Sequence, residues 1–287
     1  MKIYMAGDSM TEYQRVSIGL VEREYPRPWR ILMSWYYYKN GSLDEILAKY
    51  LLRPYPELFL DSGAFSALMQ GVHISIDEYA EWICKYRHLI SLYANLDVIK
   101  NAEATLKNQE RLEKVYKLSP LPVFHVSEPW EILDYYLDRY SYIALGVAGT
   151  RSHVYMPWLV KCFKRAEGRP VVYHGFGITT WETLKAFPWY SVDSSSWGNG
   201  FRYGKLRVFD EKLGKFFEVL IGNHASCYKY ASIIRSYGFD PQHFSKSFRL
   251  YRQHMCVVGA LSCMKAEQWL ERLHGVVAIP ERNEVIS

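Results

Sequence analysis

Several things are missing from this chain, and each absence narrows what it can be. No stretch approaches 18 consecutive apolar residues, the length a helix needs to cross a bilayer, so no membrane span is expected. The opening MKIYMAGDSM has only a short apolar run before polar residues, which argues against a secretory leader. Cysteine is scarce and odd in number: Cys84, Cys162, Cys227, Cys256 and Cys263 stand at irregular spacings. That is not the even framework of a stapled secreted domain, and free thiols in a reducing cytoplasm are the expectation. There is no repeat, low-complexity tract or clear linker. Nor is there a large charge of one sign. The net charge is +5, with 22 basic against 22 acidic residues over 1–200 and 13 against 8 over 201–287. The excess therefore sits in the last third, where it suits either a phosphate backbone or an ordinary solvated face.

What is present is a globular composition, 49% hydrophobic and 23% charged, over 287 residues, enough for a sizeable core. Aromatics reach 16%, with 24 Tyr and 9 Trp, which suits base stacking and also plain packing. Eight apolar runs of strand length recur, at 2–7, 30–38, 58–63, 92–99, 121–126, 142–149, 170–177 and 190–195. They are rich in Val, Ile, Tyr and Phe, as strands are. Helix-like segments lie between several of them. The segment 75–90 opens on Ser75 with Glu78 three residues on, a capping-box pattern. Asn101 is a cap candidate for 101–118, and 128–140 and 179–190 also read as helices, the last stopping near Pro188.

Strands alternating with helices argue for a parallel sheet with helices outside it, and eight such strands for an α/β, TIM-like (β/α)8 barrel. The run DSMTEYQRVSIGLVEREYPRP over 8–28 fits less well and reads as a loop. After residue 205 the strand rhythm fades. The segments 225–239 and 245–275 read as helical. The expected organisation is a barrel over 1–204 and a helical, basic C-terminal appendage over 205–287, packed on the barrel.

In such a barrel the working residues collect where strands finish. The candidate strands end at Asp61, Asp97, His125, Gly146, His174–Gly175 and Asp193. Each has a plain alternative. An Asp before Ser-Gly suits a turn or cap, Asp97 suits a pair with Lys100 or a turn, Asp193 suits an Asx turn, and the histidines suit structural roles. Together, three carboxylates, a histidine and several glycines at one mouth are expensive to assemble without a use. Two carboxylates across a small pocket can carry out displacement at a sugar carbon, one attacking and one handling the leaving group's proton. Neighbouring buried carboxyls push their protonation apart, and glycines let a flat ring approach the backbone.

At these residues the sequence resembles the guanine transglycosylase family (queuine tRNA-ribosyltransferase-like). Those barrel enzymes exchange guanine in a nucleic acid for a 7-deazaguanine. The family's DSGGFQ is similar to DSGAFS at 61–66. The resemblance implies Asp61 as general acid/base, with Ser62 and Phe65 beside it. LDVIK offers Asp97 to read the guanine edge, and FHVSE puts His125 where the family has an amide side chain. IALGVAG resembles the family's GGLAVG, giving Gly146 and Gly149 as pocket wall. YHGFG resembles LMGVG, giving His174, Gly175 and Gly177. SVDSSSW offers Asp193 as the nucleophile. The likeness covers roughly 58–200.

The tRNA enzymes also carry a Cys-x-Cys-x-x-Cys zinc cluster with a later His. Here His224, Cys227, His254, Cys256 and Cys263 include the atom types without that spacing; buried thiols are the expectation, and a structural zinc site assembled from these residues is the alternative. The short chain is most like the DNA-directed branch found in phages and genomic islands, whose modification protects DNA from restriction. The expected activity is therefore a pentosyltransferase that replaces guanine in DNA by way of a covalent Asp193–deoxyribosyl intermediate. Lys205, Arg207, Arg235, Arg249 and Arg252 are the candidate phosphate contacts. On this reading no redox cofactor is needed and no metal takes part in the chemistry. The expected partners are DNA, a free 7-deazaguanine and optionally a helper protein, and no membrane. The alternatives are the same exchange on tRNA, an N-glycosidase that leaves abasic sites, and a non-catalytic nucleic-acid-binding protein.

Overall fold

In the computed structural model, residues 1–7, 9–25, 28–147, 150–178, 180–246 and 251–280 are described. Eight strands form one sheet: β1 (Lys2–Ala6), β2 (Arg30–Ser34), β3 (Glu57–Asp61), β4 (Leu92–Tyr93), β5 (Val123–His125), β6 (Tyr142–Gly146), β7 (Val172–Phe176) and β8 (Ser191–Ser194). Their order is β4-β3-β2-β1-β8-β7-β6-β5, and every pairing is parallel. Seven fall within the apolar runs of the sequence, and β3 begins one residue before its run, at Glu57. The sheet curls until its edges, β4 and β5, meet at one parallel bridge between Ala94 and Leu121. There Leu121 N–H donates to Tyr93 O at 2.9 Å and Asn95 N–H donates to Leu121 O at 3.0 Å. No ladder continues along this seam. The observed form is a curled parallel sheet joined at a single bridge, coarser than a barrel with ladders at every junction. The strand expected over 92–99 is cut short because Asn95 turns its side chain to Thr105 O and its own next N–H.

The period of two along each strand separates two cores. Tyr4, Leu32, Phe59, Ala94, Leu121, Val123 and Ala144 face inward and pack together. Their neighbours Ile3, Met5, Ile31, Met33, Leu58, Leu60, Phe124, Ile143 and Leu145 face out, under the helices. The caps read from sequence form: Ser75 Oγ accepts from Glu78 N–H and Asn101 Oδ1 from Ala104 N–H, starting helices Ile76–Tyr86 and Ala102–Lys114. The helices expected over 128–140 and 179–190 appear as Trp130–Arg139 and Trp181–Ala186, the second ending just short of Pro188.

Two expectations are corrected. The segment 8–28 contains helix Met10–Val21, whose buried Met10, Tyr13, Val16, Ser17 and Leu20 make a helical stripe. The polar residues between them hide that stripe in the sequence. The part after 204 is not wholly helical either. It begins with an antiparallel hairpin of β9 (Lys205–Asp210) and β10 (Lys215–Leu220). The alternation that buries Leu206, Val208 and Val219 is present but short.

The long helix Arg252–His274 packs on helix Met10–Val21, on β1 and on β9. At the start of the strands it is tied in by charge. Glu267 accepts both oxygens' worth of bonds from Arg30 Nη1 (3.0 and 2.9 Å), and its Oε1 takes Ile3 N–H at 2.5 Å. Glu57 in turn accepts from Arg30 Nε, Lys2 Nζ and Tyr4 OH. Two cations and two carboxylates thus balance beneath the inner core. No helix among the described residues is long and apolar enough to cross a membrane.

Candidate active site at the strand ends

Inward-facing residues at the far ends of the strands build the mouth. Asp61 ends β3, His125 ends β5, Gly146 ends β6 and Asp193 lies in β8, which pairs with β1 opposite Tyr4. Asp97 comes from the loop after β4. Below them the inner core is closed by rings: Phe59 lies edge-on to Tyr4 (5.3 Å) and to His174 (4.9 Å), and Phe176 packs on His174 (4.5 Å).

Asp61 Oδ2 accepts from Gly63 N–H at 3.0 Å, and Ser62 Oγ, buried, accepts from Ala64 N–H at 3.3 Å. The turn reading of DSG therefore holds, but it does not exhaust Asp61. Burial, and then the carboxylates of Asp97 and Asp193, push its pKa up to about 7. Three carboxyls, two from strands and one from the loop after β4, act on one another across the mouth.

Asp97 is held by His125, whose Nε2 lies 2.9 Å from Oδ2. Its other oxygen is buried and has no hydrogen-bond partner among the described residues. Burial opposes the charge on His125, but the Asp97 carboxylate outweighs it and raises the imidazole pKa. The backbone N–H of His125 donates to Glu128 Oε2 at 2.9 Å. Gly146 sits flat against the His125 ring, and a Cβ there would collide with it. A cavity of about 250 Å³ opens beside Asp97, walled by Ala64, Leu68, Val72, Leu96 and Val98. Phe65, 48% exposed, stands on the rim rather than inside, beside exposed Leu68 and Met69.

Asp193 keeps little exposure, and its Oδ1 accepts from Gly177 N–H at 2.8 Å. Gly177 has φ of +66°, a conformation glycine adopts without strain, and this turns its N–H toward the carboxylate.

Two sequence expectations for the pocket wall are corrected. His174 is fully buried beneath the mouth, so it does not line the opening. Gly175 faces the outer layer, where a Cβ would meet Ile178 and Trp189. The strand alternation decides both: 174 and 176 point in, 175 points out. Gly149 and Arg249 lie outside the described residues.

The basic candidates are spread out. Arg207 donates to Ser196 Oγ at 2.9 Å, just past Asp193, and lies over the Phe216 ring. Arg252 is 3.8 Å from Glu12. Lys205 and Arg235 are exposed, on β9 and on helix Ala231–Ser236. A cation that the sequence reading passed over, Arg202, donates to Ser195 O at 3.2 Å and leans on Trp197 and Phe201. Its nearness to the loop after β1 has no local signal in the sequence. His224 stacks on Tyr228, while Cys227, Cys256 and Cys263 are buried, with burial raising their thiol pKa values. Among the described residues no three His, Cys, Asp or Glu side chains are grouped to share a metal ion.

The mouth thus holds a half-buried carboxyl that exchanges its proton near neutrality, a second carboxylate with one oxygen unpartnered, and a third fixed by a backbone N–H. Neither a scan of protein-family models nor a search of curated proteins returns a match for the chain.

Proposed function

We propose that this chain is a base-exchange transglycosylase that replaces guanine in DNA with a 7-deazaguanine, and we read its bridged sheet as a (β/α)8 barrel. The observation that carries the reading is the convergence of Asp61, Asp97 and Asp193, with Asp61 raised to about 7 by burial and by the other two. The choice of DNA rests on the motif likeness alone.

Asp61 and Asp193 stand three strand spacings apart along the curved wall, ~14 Å of arc at ~4.8 Å per spacing, and the cavity beside Asp97 is lined by neither of them. The target nucleotide leaves the duplex to enter. Asp193 attacks C1′ through the oxygen not bonded to Gly177. The C1′–N9 bond breaks, and the electron pair leaves with guanine, which takes the proton carried by Asp61. The incoming 7-deazaguanine gives its N9 proton to Asp61 and attacks C1′, releasing the Asp193 carboxylate. The free oxygen of Asp97 accepts from the purine's N1–H or exocyclic amine, with His125 fixing the other oxygen.

The test is mass spectrometry of nucleosides after incubating purified protein with duplex DNA or tRNA and a panel of free 7-deazaguanines. Incorporation into DNA, abolished by Asp193→Asn, is the expected result. Incorporation into tRNA alone would move the substrate. Release of guanine without replacement, leaving abasic sites, would overturn the exchange. Asp97→Ala should relax the choice of base more than it slows the chemistry, and an unchanged base preference would remove Asp97 from recognition.

A further inference from the structure

Below Asp193 runs a buried chain of polar groups that the exchange chemistry above does not use. Tyr142 OH lies 2.5 Å from Ser191 Oγ, and Ser191 Oγ lies 2.6 Å from His174 Nδ1. The other ring nitrogen, His174 Nε2, is buried without a hydrogen-bond partner and faces Asp193 Oδ1 at 3.6 Å. The ring cannot swing away. It is packed edge-on between Phe59 and Phe176, with Tyr4 behind.

Proton directions along this chain are decided from both ends. Tyr142 has one O–H and no acceptor shown for it other than Ser191 Oγ, and burial holds it firmly protonated. If Tyr142 donates to Ser191, the serine proton is left for His174 Nδ1, and the imidazole proton must sit on Nε2, facing the carboxylate. In the reverse order the Nε2 lone pair faces a negative oxygen, which costs free energy. Burial also keeps this histidine neutral, so it does not carry a second proton.

We propose that His174 is a positioning residue for Asp193. Its Nε2–H, fixed in that tautomer by Tyr142 and Ser191, joins Gly177 N–H as a second donor poised at Oδ1. The other oxygen is thereby aimed at the mouth, and the carboxylate is supported when it leaves the sugar. No proton is transferred along the chain. The assignment of a role in leaving rests on the transglycosylase reading; the tautomer does not.

The experiment has two arms on the full chain. The first is ¹⁵N NMR of the histidine side chains, with His174 identified by its loss in His174→Leu. We expect a pyrrole-like Nε2 and a pyridine-like Nδ1 in the neutral ring. The opposite tautomer overturns the proposal whatever the protein's activity. The second arm is kinetic. Removing one preorganised donor at a charged oxygen typically costs ~10²–10³-fold, so His174→Leu should slow breakdown of the Asp193–sugar adduct by ~100-fold and let the adduct accumulate. His174→Gln, which places an amide N–H near the Nε2 position, should recover most of that loss. Adduct formation and breakdown slowed alike in a stably folded His174→Leu, with no recovery in His174→Gln, would make His174 merely structural. A correct tautomer with no adduct on any polymer would instead defeat the transglycosylase reading and, with it, the catalytic half of this proposal.

Discussion

Asp61→Asn separates the chemistry of the mouth from its cost to the fold. The carboxyl of Asp61 moves from an ordinary value of 3.8 to about 7, first through burial and then through Asp97 and Asp193. A raised carboxyl binds more protons in the native chain than in the unfolded chain between pH 4 and 7. Stability therefore falls as pH rises through that window, and above pH 7 the native state bears the full cost of the charge. At ~1.4 kcal/mol per pKa unit the three-unit shift sets an upper bound of about 4 kcal/mol. Asn keeps the oxygen that accepts from Gly63 N–H but never ionises. Its urea or thermal transition should match wild type near pH 4 and exceed it at pH 8 by about 2–4 kcal/mol. In a domain of this size that is roughly 3–7 °C. Base exchange should be lost over the whole range, since no proton is available for the leaving guanine. Two stability curves that run parallel from pH 4 to 8, with no gap opening, would refute the claim that Asp61 is an expensive charge in a shared site.

The remaining expectations concern neighbours and scaffold. In wild type, exchange should decline above pH 7 as Asp61 loses the proton it must donate, and a rate that climbs steadily to pH 9 would count against it as the acid. Gly146→Ala forces a methyl into the His125 ring, so stability should drop by ~1–3 kcal/mol and the raised imidazole pKa should fall back toward its ordinary value by NMR titration. Glu267→Gln removes one of the two carboxylates that pair with Arg30 and leaves it Glu57, so denaturant melts should show a loss of ~1–3 kcal/mol.

What the sequence determined by itself was local and periodic. The eight strands could be read from runs of Val, Ile, Tyr and Phe, and the caps at Ser75 and Asn101 from side chains that bond a backbone N–H three residues on. The positions of Asp61, His125 and Asp193 at or next to strand ends were legible for the same reason: a polar residue closing an apolar run marks the exit from the core, whereas Asp97, expected to end a strand, lies in the loop four residues past β4. Helix Met10–Val21 was not, because polar Glu12, Arg15 and Ser17 interrupt its apolar spacing, and its buried face finds its partners in distant elements, the helices Leu43–Tyr50 and Arg252–His274. The hairpin of β9 and β10 went unseen because its alternation is two or three residues deep and its inner face is set by distant residues such as Ser262 and Tyr237. Tertiary structure alone decided which of His174 and Gly175 faces inward. It alone put Asp97 within reach of His125, 28 residues away, and let three carboxylates feel one another. Charge repulsion and desolvation are set by distances through space, and a curled parallel sheet brings together strand ends that the chain keeps more than a hundred residues apart.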